Sequence, residues 1–204
     1  MNRIVKLVIT KISFKGVNIK VIIAFLKSRF RKWLFEEVWL EDYVKRGMKI
    51  GSGCSIQPGV IFDYSHCNLI SIGNNVTLAP YVYILAHDAS TKRKLGYTKV
   101  ASVIIEEDVF IGACSMIMPG VTVGKNCIVG ACSVVTKSVP PNSVIAGNPA
   151  KIISSFDSSM LKNLELMKAT HLFDESYTFK NGDIPQKYKE EMFNKLKDKL
   201  GFIK

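Results

Sequence analysis

An aliphatic residue returns at every sixth position through the middle of the chain: Ile105, Ile111, Ile117, Val123, Val129 and Val135. The next residue is Gly at three of these places (Gly112, Gly124, Gly130). The fifth position of each hexad is small or β-branched: Val109, Ser115, Val121, Cys127, Ser133, Val139. A period of six suits neither a helix, which repeats about every 3.6 residues, nor a single strand with its alternating faces. It suits a triangular solenoid in which each hexad forms one short face and three hexads complete a coil. The recurring aliphatic residue then points into the prism and stacks on its counterpart a coil away. The Gly allows a tight corner where a Cβ would meet the turning backbone.

The same pattern runs earlier, through Ile50-Gly51, Ile56 and Phe62, then Ile72-Gly73, Leu78 and Ile84. Between Phe62 and Ile72 the spacing is ten rather than six, so four extra residues within Tyr64 to Asn68 must bulge from a corner. A larger interruption, Asp88 to Val103, is rich in Lys, Thr, Ser and Gly and reads as a loop leaving the prism directly after His87. Long loops on a rigid frame are where function concentrates. The flanks look helical. Ser28 to Arg46 carries Trp33, Leu34, Val38, Leu40 and Val44 among charges and stops at Gly47. Met160 to Lys168 and Pro185 to Leu200 read as two further helices, the second ended by Gly201.

The formal charge of +11 belongs to an arm. Residues 1–32 hold nine basic residues and no acidic one, which leaves 19 of the 28 basic residues against all 17 acidic ones in the body. The arm also carries Ile4, Leu7, Phe14 and the run Val21 to Leu26, interrupted by lysines too often for a membrane span or a signal peptide. Such a segment suits peripheral contact with an anionic membrane surface, or a helical cap with its lysines in water. The five cysteines include no C-x-x-C pair, and an odd count fits a disulfide framework poorly. They read as small buried side chains in a reducing, cytoplasmic setting.

Four stretches resemble the hexapeptide-repeat acyltransferases, in particular the maltose and galactoside O-acetyltransferases and bacterial surface-polysaccharide O-acetyltransferases. They are I-S-I-G-N-N-V-T-L-A-P (Ile70 to Pro80), I-L-A-H-D (Ile84 to Asp88), V-F-I-G-A-C-S-M-I-M-P-G-V-T-V-G (Val109 to Gly124) and V-V-T-K-S-V-P-P-N-S-V-I-A-G-N-P-A-K (Val134 to Lys151). The resemblance implies a mainly β fold, a left-handed parallel β-helix of hexapeptide repeats over residues 49–153 with its loop at 88–103. A helical N-terminal arm (1–48) and a helical C-terminal tail (154–204) flank it. It also implies a homotrimer with sites between neighbouring prisms and acetyl-CoA as co-substrate. The acceptor would be a carbohydrate of a bacterial surface polysaccharide, and the protein would be cytoplasmic or peripheral at the inner membrane face.

By that resemblance His87 is the general base that takes the proton of an acceptor hydroxyl as it attacks the thioester, a task suited to imidazole near neutrality. Asp88 is a candidate to orient it. Backbone amides near Ala113 and Ala131 would meet the oxyanion. Lys137 and Lys151 would meet CoA phosphates, with Thr136, Ala131 and Gly147 bordering the pantetheine or adenine. Asp63, His66, Phe110 and Lys92 are candidates for the acceptor; a structural role for His66 and Asp63 in holding the bulge is equally open. The rival readings are N-acetylation of an amino sugar or small amine and a non-catalytic trimeric scaffold. A zinc solenoid needs three converging imidazoles, and of His66, His87 and His171 the last lies outside the repeat, so no metal is expected. A basic face carrying aromatics is not apparent on the body, so no nucleic-acid partner is expected.

Overall fold

The structure, a computed structural model, describes Leu26 and residues 40–204. The chain divides into two units, Met1–Lys45 and Arg46–Lys204. Of the first unit, helix α1 (Leu40–Lys45) is described beyond Leu26; the rest of the expected helical arm lies outside the described residues.

In the second unit the hexads become strands of two or three residues, each pairing an outward residue with an inward aliphatic one. The first coil holds β1 (Lys49–Ile50), β2 (Ser55–Ile56) and β3 (Ile61–Phe62), and the second holds β4 (Ile70–Ile72), β5 (Thr77–Leu78) and β6 (Tyr83–Ile84). Strands β7 (His87–Asp88) and β8 (Lys99–Val100) leave the prism. The third coil is β9 (Val103–Ile105), β10 (Phe110–Ile111) and β11 (Met116–Ile117). The fourth is β12 (Thr122–Val123), β13 (Ile128–Val129) and β14 (Val134–Val135). The order β1-β4-β9-β12 makes the first face, β2-β5-β10-β13-β15-β16 the second and β3-β6-β11-β14 the third. Strands β15 (Ser143–Gly147) and β16 (Ala150–Ser155) end the second face, and only their pairing within the three faces is antiparallel. Four coils and part of a fifth thus form the triangular solenoid that the hexads predict, the left-handed β-helix that the resemblance implies.

The register is the sequence period made solid. Leu78, Ile111, Val129 and Ile145 stack in line, as do Phe62, Ile84, Ile117 and Val135. All eight are buried, and each contributes roughly 1.5–3 kcal/mol of hydrophobic stabilisation. Corners turn three residues after each inward position through left-handed backbone: Asn75, Tyr81, Asp108, Cys114, Asn126, Cys132 and Asn142 all have φ between 54° and 60°. Asn and Asp tolerate this conformation best. At the first corner they also tie coils together, Asn126 donating to Asn142 at 2.9 Å and Asn75 to Asp108 at 3.1 Å.

Two expectations need correction here. The Gly of the second hexad position does not make the turn. Its φ is ordinary, and a Cβ on Gly112 would meet the backbone of the next coil, 2.5 Å from the Ala131 nitrogen. Nor are all five cysteines buried. All are free, but Cys114 and Cys132 occupy left-handed corners and are exposed.

The interruption at 88–103 is more ordered than a loop. β7 and β8 pair antiparallel, and helix α2 (Lys92–Leu95) closes the far end at a left-handed Gly96. The tail holds α3 (Phe156–Ala169), capped by Ser155, which accepts from the Ser158 N–H, and α4 (Gln186–Leu196). It is not wholly helical. Gly201 begins β18 (Gly201–Ile203), parallel to β17 (His171–Phe173), where it faces the His171 carbonyl and the Phe173 ring instead of stopping α4.

These corners make opposite predictions. Gly112→Ala forces a Cβ against fixed backbone and lowers stability by about 1–3 kcal/mol. Cys114→Gly releases left-handed strain and leaves stability level or raises it by up to about 1 kcal/mol. Urea unfolding at one protein concentration checks both.

Candidate active site

Both interruptions leave the prism from the same corner, between the third and first faces, in consecutive coils. The first begins just past Phe62, where the Asp63 N–H still donates to the Ile84 carbonyl at 2.9 Å and so continues the ladder past β3. A short 3-10 turn at Cys67–Leu69, with Cys67 buried, brings the chain back to β4. The second begins past Ile84. The buried Ala86 accepts from the Ala101 N–H at 3.0 Å, and this closes the base of the β7–β8 hairpin around His87.

The carboxylate that meets His87 is Asp63. One oxygen, Oδ2, pairs with His87 Nδ1 and accepts from the Ala86 N–H at 2.9 Å; the other accepts from the His66 N–H at 3.2 Å. The Asp63 side chain is 1% exposed, while the His87 ring is 34% exposed at the mouth of the corner. Burial pushes the Asp63 carboxyl up, but the bonds from His87, Ala86 and His66 outweigh it and hold the group below the usual carboxylate range. An ionised Asp63 makes His87 Nδ1 the donor and leaves Nε2 as an acceptor facing outward. The ring of His66 stands beside it, centroid to centroid 4.9 Å at 45°.

This revises two assignments. Asp88 does not orient His87: strand neighbours point to opposite faces, and Asp88 pairs with Lys99 at 2.7 Å and accepts from the Ser90 N–H. Those two partners hold its carboxyl far below the usual range. Asp63 is too buried to meet an acceptor and serves as the partner of His87. The register carried a signal for this. Phe62 lies on Ile84, so the residues that follow each share one corner.

The remaining candidates fall elsewhere. Ala113, Ala131 and Gly147 stack in line on the corner between the second and third faces, two residues beyond Ile111, Val129 and Ile145. Phe110, 45% exposed, points out of the second face, across the prism from the His87 corner, so it cannot approach His87 of its own protomer. Thr136 and Lys137 are exposed on the corner of His87, in the fourth coil, and Lys151 lies on β16 opposite Ala146. Lys92 opens α2 in the hairpin and is exposed.

Residues 102–137 match the bacterial transferase hexapeptide (six repeats) family. Protein CapG of Staphylococcus aureus is 35% identical over 176 residues, which cover 83% of this chain and all of CapG. The galactoside O-acetyltransferase of Escherichia coli strain K12 is 35% identical, over 58% of this chain and 61% of its own. Among solved structures, a hexapeptide-repeat-containing acetyltransferase of Vibrio cholerae, complexed with acetyl coenzyme A, shares 32% identity and a TM-score of 0.50. The match covers 54% of this chain and 61% of that one. The chain belongs to the hexapeptide-repeat acyltransferases.

Because Asp63 titrates below its ordinary 3.8, it adds stability that is present above the unfolded value and is lost as pH falls through the folded one. Asp63→Asn removes that share. The stability gap between wild type and variant, measured by chemical unfolding, narrows as pH drops from about 5 to about 2.

Proposed function

We propose that this protein transfers the acetyl group of acetyl-CoA to a hydroxyl of a carbohydrate, in the making of a bacterial surface polysaccharide. The observation that carries the reading is the Asp63–His87 pair at the mouth of a corner. His87 Nε2 takes the acceptor's proton as its oxygen attacks the thioester carbonyl, and Asp63 stabilises the imidazolium that forms. Backbone amides near Ala113 and Ala131 hold the oxyanion. Collapse breaks the C–S bond, and His87 returns the proton to the leaving thiolate. The strip of Ala113, Ala131 and Gly147 has no side chain longer than a methyl, which suits a slender pantetheine arm; Lys137 and Lys151 suit the phosphates. Lys92 in the hairpin suits an anionic glycan.

His87 and that strip lie on different corners of one protomer, and a homotrimer resolves this. The outward residues of the third face, Ile61, Tyr83, Met116 and Val134, form an apolar ladder. Packing three such faces around an axis sets the His87 corner of each subunit against the small-residue corner of its neighbour. Charge placed in that ladder separates the subunits: Met116→Arg sediments as a monomer and loses turnover.

The described residues include no helix long and apolar enough to cross a membrane. The basic arm at residues 1–32, outside the described residues save Leu26, is proposed to hold the enzyme at an anionic lipid surface. The deciding assay is CoA thiol release from acetyl-CoA across a panel of sugars, amino sugars and oligosaccharides. His87→Ala folds and binds CoA, but its turnover falls roughly 10²-fold or more. Near-normal turnover in that variant rejects the assignment, and a response to amines alone turns the reading to N-acetylation.

A further inference from the structure

Asp63 stands between two imidazoles. Its Oδ2 is taken by His87, while its Oδ1 faces His66 Nδ1 across 3.7 Å. That nitrogen is buried and makes no hydrogen bond among the described residues. A carboxylate oxygen and an unbonded ring nitrogen that face each other in a buried place call for something positive between them, a proton or a cation. The ligand atoms of Asp63, His66 and His87 all lie within 4.8 Å of one another. Donors around a tetrahedral zinc ion stand roughly 3.4 Å apart, given bonds of about 2.0–2.1 Å, so small side-chain movements close the three onto one ion.

We propose that Asp63, His66 and His87 bind a zinc-like divalent cation, and that the ion switches acetyl transfer off. The switch rests on the reading of His87 as general base. Two nitrogens and one carboxylate oxygen suit a borderline ion such as zinc, with water completing the shell. Zinc forms a bond to His87 Nδ1 in place of the Nδ1–H, and solvent carries that proton to Nε2, so none is released overall. A neutral imidazole bound through Nδ1 carries its single proton on Nε2. Nε2 then donates and cannot accept the proton of an alcohol. The ion therefore reverses the tautomer that Asp63 otherwise enforces. His66, in this arrangement, is the residue that turns a catalytic pair into a three-donor site.

The test uses the full chain freed of metal with a chelator. Zinc chloride is titrated by calorimetry, and cobalt chloride by visible absorbance, which reports donor geometry without any variant. We expect one ion per protomer and a tetrahedral cobalt spectrum. Asp63→Asn and His66→Gln each weaken binding by about 10-fold or more. Turnover of the wild type falls about 10-fold or more in saturating zinc and returns on chelation. Absence of saturable binding, or equal binding in the variants, overturns the metal site and leaves His87 as the base; a proton or water then serves His66. Site-specific binding without inhibition overturns the switch, while turnover of His87→Ala without zinc decides separately whether His87 is the base.

Discussion

The β-helix depends on one contact repeated coil after coil: an inward apolar side chain resting on its counterpart. Strands of two or three residues have no stability of their own, and their ladders hold because Leu78, Ile111 and Val129 fill the prism beneath and above one another. That contact tolerates no slip, since a one-residue shift would turn the whole aliphatic row outward. Extra chain can therefore leave only at a corner, and it must return in register. Two consecutive coils spend their extra residues at the same corner, and Asp63 and His87 meet as a result. The Asp63–His87 pair is a by-product of core packing.

The solenoid was open to reading because its period survives both interruptions; Phe62 and Ile72, or Ile84 and Ile105, resume the same inward set. The pairing at the site was harder. Asp88 adjoins His87 in sequence, while Asp63 adjoins it only once the coils are stacked. Long-range register carried the answer and nearest-neighbour reading did not. The hairpin at 88–103 looked polar and unstructured because its order comes from a two-residue ladder and the Asp88–Lys99 pair, neither of which leaves a periodic trace. Likewise Gly201 reads as a helix stop by local rules. It lies in β18 against β17, where a Cβ would press on the Leu196 side chain and the His171 carbonyl, so the position takes a glycine. The hexad glycines were recognised, but the reason lies in the neighbouring coil and not in their own dihedrals.

A three-sided prism distributes chemistry unevenly. Side chains in one corner column communicate along the axis, whereas those on different corners are separated by a full face of packed interior. His87 occupies one column and Ala113, Ala131 and Gly147 another, with the apolar outward residues of the third face between them. In the proposed trimer that face is what brings the two columns of neighbouring subunits together.

The antiparallel run of β16 against β15 has a consequence for how far such a structure can grow. A parallel solenoid presents at its last coil the same hydrogen-bonding edge that accepted every coil before, an open invitation to another strand, including one from a different molecule. On the second face the chain answers this by folding back on itself. Ala150 to Ser155 occupies the edge in the reverse direction, so the next strand in the parallel series finds its place taken. On that face the parallel series ends against its own chain, and any strand added beyond it would meet β16 running the other way and not another coil of the same register.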